Sequence, residues 1–193
     1  MDASEARDQL QLGDRILSRA DRTLNMPPLT LIAWGLFGTA VNAVHQARVS
    51  GLQTFNDERI LIPFMVAGVA ASMWGARRQS KERISLADQN AGIVFGAVSI
   101  TLMLLTGTAQ NRAITPQAMA LFWCAGFSIA LMIVGAKTSR LLLEGGLTML
   151  LACVIAPFVP EWFDGILAIG WALGFFGPGA VMSLQSHGRT VSI

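Results

Sequence analysis

The sequence predicts an all-α fold: a polytopic membrane bundle of six transmembrane helices in three hairpins, preceded by one cytoplasmic amphipathic helix. Three observations carry that prediction. Of 193 residues, 53% are apolar and only 13% charged, roughly half the charged share of an ordinary soluble domain. The charged positions cluster and leave long stretches with almost none. Basic residues, moreover, crowd into alternate gaps between those stretches, as the inward bias of Lys and Arg in membrane proteins requires. A mean hydropathy of +0.53 excludes a disordered chain, a nucleic-acid-binding arm and an ordinary soluble enzyme. The net charge of +2 is too small to point to an electrostatic partner.

Crossing about 30 Å of hydrocarbon takes about 20 mostly apolar residues, because lipid offers the backbone no hydrogen-bond partner. Six segments qualify, at about 28–47, 60–76, 91–109, 117–136, 141–158 and 162–184. Pro27 and Pro28 stop whatever precedes the first, and proline in a first helical turn gives up no needed bond. Thr115–Pro116 opens the fourth as a cap followed by proline. Pro157 and Pro160 divide the fifth from the sixth. Pro178, between Gly177 and Gly179, predicts a kink or break in the sixth helix. The domain plan is a cytoplasmic helix at 1–27, a transmembrane domain at 28–184 and a cytoplasmic tail at 185–193.

Orientation follows from the basic residues. Arg7, Arg15, Arg19, Arg22, Arg77, Arg78, Arg83, Arg140, Arg189, Lys81 and Lys137 fall on one side, and Arg48, Arg59 and Arg112 on the other. Both termini are therefore expected in the cytoplasm, with the chain in a bacterial inner membrane. The long, doubly charged start argues against a cleaved signal. Trp74 and Trp162 stand near helix ends, where interfacial anchors belong. Cys124 and Cys153 both fall inside spans and are expected to pack as small apolar groups rather than as a bridge.

Residues 2–25 form the largest segment outside the predicted bilayer. Ala6, Leu10, Gly13, Leu17, Ala20 and Leu24 recur at 4-3-4-3-4 spacing, a narrow seam of small residues alternating with leucine. Two roles fit it: lying on the inner leaflet, or pairing with a cytoplasmic or membrane protein or a second copy. The alanine and glycine of the seam permit close helix approach, which favours a role in partner binding.

Polar chemistry within the spans is sparse. Gly35, Gly38, Asn42 and His45 share a face of the first helix, with Thr39 and Gln46 adjoining. Asn42 should turn into the bundle or a wet cavity, because lipid cannot satisfy it. Glu144 lies about one turn inside the fifth span, four residues after Arg140, at the spacing of a helix ion pair. Asn42, His45 and Glu144 are thus the candidate ligand or ion residues. Glu161 and Asp164 are expected to be solvated at the outer mouth of the sixth helix. Glycine and serine stripes at Gly68/Ser72/Gly75, Gly92/Gly96/Ser99 and Gly170/Gly174/Gly177 are expected to be helix contacts.

No metal-spaced His/Cys/Asp/Glu cluster, phosphate-binding loop, serine elbow or paired-carboxylate site occurs in the sequence. No catalytic, cofactor or metal residues are predicted, and no nucleic-acid partner. The expected role is a non-catalytic, regulatory or partner-binding one exercised through the N-terminal helix. The alternative is a small transporter or channel that uses the polar face of the first helix and Glu144.

Overall fold

The computed structural model describes residues 27–52, 58–81, 86–109 and 114–188, and every regular element among them is helical. The helices are α1 (Pro28–Val49), α2 (Glu58–Lys81), α3 (Leu86–Ala109), α4 (Pro116–Thr138) and α5 (Arg140–Ile155). Two short 3-10 turns, Ala156–Phe158 and Pro160–Trp162, lead into a final rod. That rod comprises α6 (Phe163–Trp171), a π-helical turn (Ala172–Phe176) and α7 (Gly177–Gly188). The seam residues Ala6, Leu10, Gly13, Leu17, Ala20 and Leu24 lie outside the described residues, as does Arg189.

Local sequence explains the helix ends. Pro28 occupies the first turn of α1. Thr115 caps α4 by accepting the Ala118 N–H at 3.2 Å, with Pro116 following it. Gly51, at φ +71°, closes α1 in a left-handed position that a side chain would strain. There the Leu52 N–H reaches Ala47 O at 2.9 Å and the Gly51 N–H reaches Arg48 O at 3.0 Å, the paired bonds of a Schellman close.

Among the described residues, three stretches are long and apolar enough to cross a membrane: Pro116–Thr138 (23 residues), Arg140–Phe158 (19) and Pro160–Gln185 (26). Of the six expected spans, the last three meet that requirement in full. In α2 and α3 the apolar parts are shorter, Ile62–Gly75 and Ile93–Thr106. α1 has the length, 22 residues, but Asn42, His45 and Gln46 dilute its apolar surface.

The terminal rod is central. α1 runs antiparallel along it, α5 packs on it from another side, and α4 and α5 make the most extensive helix pair. α2 packs on α1, and α3 on α4. Neighbours in sequence therefore do pair as expected, but the broadest contacts join different hairpins. Dispersion between closely packed surfaces holds such apolar helices together, and in lipid it would be the main force available. Glycine supplies that closeness: a side chain at Gly35 would strike the backbone of Phe176, and one at Gly38 the Trp171 ring. Gly145 lies against the Gly174 carbonyl, and Gly170 against Ala152. Gly68 lies under Trp34, whose indole N–H donates to Ser72 at 2.9 Å. Gly96 departs from expectation, because its Cβ position meets open space. At that residue the stripe makes no contact among the described residues.

Pro178 does not break the rod. It has no N–H for the Gly174 carbonyl four residues back, and the preceding turn widens so that the Gly177 N–H reaches Ala172 O. A π turn absorbs the lost bond. Around it Trp171, Phe175, Phe127 and Phe95 form a ring cluster, with centroids from 5.1 to 6.2 Å apart.

Candidate functional site

The polar face of α1 meets the start of α6. The Schellman close at Gly51 ends α1 just beyond His45 and Gln46, while the turns around Pro157 and Pro160 bring the first turn of α6 beside them. Gln46 spans the joint. Its Nε2 donates to the Glu161 carbonyl at 2.6 Å and to Ser50 Oγ at 3.2 Å, and its Oε1 accepts the Gly165 N–H at 3.0 Å. Gly165 is the third residue of α6, and the helix has no side-chain cap of its own. The first N–H groups of a helix have no partner within it. Gln46 therefore caps α6 from another helix, a role that its place in the sequence does not disclose.

His45 Nδ1 lies 3.2 Å from Asp164 Oδ2, with the two side chains 44% and 8% exposed. An ionised Asp164 can only accept, so in the pair Nδ1 carries the hydrogen. Asp164 also sits in the first turn of α6, where the helix dipole favours negative charge. This corrects the expectation that Asp164 is solvated, since the end of α1 covers it; Glu161 is exposed, as expected. One turn earlier, Asn42 is buried at 6% exposure. Its amide donates to the Gly38 carbonyl of its own helix at 2.8 Å, not to a neighbour. Thr39 makes the cross-helix bond at that level, to Ala168 O at 3.4 Å.

Glu144 belongs elsewhere. It pairs with Arg140 at 2.8 Å on an exposed face of α5, the side chains being 53% and 89% exposed. Its neighbour Gly145 packs against Gly174 and Pro178, whereas Gly165 packs against Gln46. Those levels on the rod are about 14 Å apart at 1.5 Å per residue. The structure brings His45 next to Asp164 and leaves Glu144 away from both. An exposed i,i+4 pair contributes little, so Glu144→Gln should change detergent unfolding by under about 0.5 kcal/mol. A larger loss in a thermal melt contradicts that account.

The arrangement can hold two helix ends together. His45 and Asp164 are two metal-type ligands, but no group of three His, Cys, Asp or Glu gathers among the described residues. Comparison of the chain with protein-family models, curated proteins and solved structures returns no match.

Proposed function

We propose that the chain is a six-span protein of the bacterial inner membrane with both termini in the cytoplasm, and that it serves a non-catalytic, regulatory or partner-binding role. The bundle is the membrane-held scaffold, and residues 2–25 make the cytoplasmic contact through the Leu10, Leu17 and Leu24 seam. Support for six crossings comes from helix length: α1, α2 and α3 have 22, 24 and 24 residues, and at 1.5 Å per residue about 33–36 Å each. Trp74 and Trp162, 48% and 63% exposed, stand where interfacial anchors are placed.

One observation favours a scaffold over a conduit. Thr39, Asn42 and Gln46 spend their polar groups on protein partners, on α6, on the turn before it or on α1 itself, and His45 spends Nδ1 on Asp164. A pathway for a solute needs such groups facing a wet cavity. Leu17→Asp should abolish cross-linking of the N-terminal segment to its partner while leaving the chain in carbonate-washed membranes. Identical interactors and oligomer size for the full chain and a 2–25 deletion overturn the proposal.

The transport alternative keeps one supporting observation, the half-exposed His45 beside a buried Asp164. In proteoliposomes it requires Asn42→Leu and Glu144→Gln to stop solute movement at unchanged expression.

A further inference from the structure

We propose that Cys124 and Cys153 form a reversible dithiol–disulfide site inside the bundle, oxidised by a quinone dissolved in the bilayer. The proposal rests on α4 and α5 crossing the membrane, and both lie in stretches long and apolar enough to do so.

The register of the α4–α5 hairpin brings the two residues to one level. At the turn, Gly135 lies against the backbone of Leu142 and Leu143, and further along Ser128 Oγ donates to the Gly146 carbonyl at 2.7 Å. Continued one to two turns, this register sets Cys124 opposite Cys153. Cys124 belongs to the buried core and Cys153 packs against that core, and both cysteines are free. Cys124 extends the buried stripe of Ser128, Leu131 and Gly135 and is 0% exposed. Cys153 is half-buried at the edge of the interface, beside Val154 and Ile155, which are 55% and 42% exposed. A disulfide needs Cα atoms about 4.4–6.8 Å apart, and Gly135 and Gly146 hold this hairpin at close approach.

Depth selects the oxidant. Cys153 lies five residues before Phe158, the end of its apolar stretch, and Cys124 eight residues after Pro116, the start of the other. Those offsets correspond to about 8–12 Å of helix rise. A water-soluble disulfide carrier cannot bring its sulfur to that depth, whereas a quinone partitions there. Cys153, the accessible thiol, loses its proton and adds to the quinone ring. Cys124 then loses its proton and attacks the Cys153 sulfur. The S–S bond forms as the carbon–sulfur bond breaks, and that electron pair leaves with the ring. Two electrons and two protons pass to the quinone, which departs as quinol; a dithiol reductant reverses the change.

The test uses the purified full chain in detergent, treated separately with decylubiquinone and with the thiol oxidant diamide. With either reagent, intact mass should fall by two hydrogens, both cysteines should resist maleimide after denaturation, and the product should stay monomeric. Dithiothreitol should restore the thiols, and the oxidised form should melt about 5 °C higher. Cys124→Ser and Cys153→Ser should each abolish the mass change. Oxidation by diamide alone, no oxidation by either reagent, or a disulfide between two chains overturns the proposal. Carbonate extraction of the membranes from which the chain is purified scores insertion separately, so a chain that does not span is distinguished from a spanning chain whose thiols the quinone leaves reduced.

Discussion

Gly35→Val is expected to separate α1 from the terminal rod. The added branched side chain would meet the Phe176 amide nitrogen and Cα, which belong to backbone and cannot swing aside. Overpacking into a core that flexible side chains can relieve costs about 1–3 kcal/mol. Here relief requires moving a whole helix, so the expected loss is about 3 kcal/mol or more. The α1–rod interface also carries α2, which packs on α1. The measurement is the thermal midpoint in detergent together with the yield of monodisperse protein. Gly96→Val is the control, because its Cβ position meets nothing within 4 Å. A Gly35→Val protein that melts with the wild type shows that the close approach of α1 to Phe176 is not what closes the bundle.

Gln46→Leu is the second large effect. It removes both the donor to the Glu161 carbonyl and the acceptor for the Gly165 N–H. Losing a helix cap costs about 0.5–2 kcal/mol, and a further intramolecular bond about 1 kcal/mol. Partial exposure of the joint lowers the sum, to about 1–2 kcal/mol. Hydrogen exchange should rise selectively in the first turn of α6. Gln46→Glu keeps the acceptor for Gly165 but sets a carboxylate oxygen against the Glu161 carbonyl, so it should recover less than half the loss. Equal melting of Gln46→Leu and wild type, with unchanged exchange at Gly165, rules out the cross-helix cap.

Some of this was legible before any coordinates. The Thr115–Pro116 cap, the proline that opens α1 and the Arg140–Glu144 pair all lie within four residues along the chain. Such contacts follow from helix geometry alone. The glycine stripes of α2 and of the terminal rod could be read as contact residues, but not what each one touches. Gly96 fits the same pattern, yet among the described residues its Cβ position meets open space. Asp164 looked solvated because its cover, His45, stands 119 residues earlier. Gln46 carried only the signal of a polar residue late in an apolar helix, and its partners are 115 and 119 residues away. The π turn had Pro178 as its signal, yet whether a lost bond becomes a break or a widened turn depends on the neighbours that hold the rod straight.

By itself the sequence determined that the described chain is helical, where α1 and α4 begin, and which long stretches have the length and apolarity to cross lipid. Those properties depend on composition and on chemistry within a turn of helix. The tertiary structure alone decided that the terminal rod is central, that α1 caps α6 through Gln46, and that Asp164 is buried against His45. Helices in lipid associate through shape and a few hydrogen bonds between residues far apart in the chain, and no short-range pattern records which surfaces will meet.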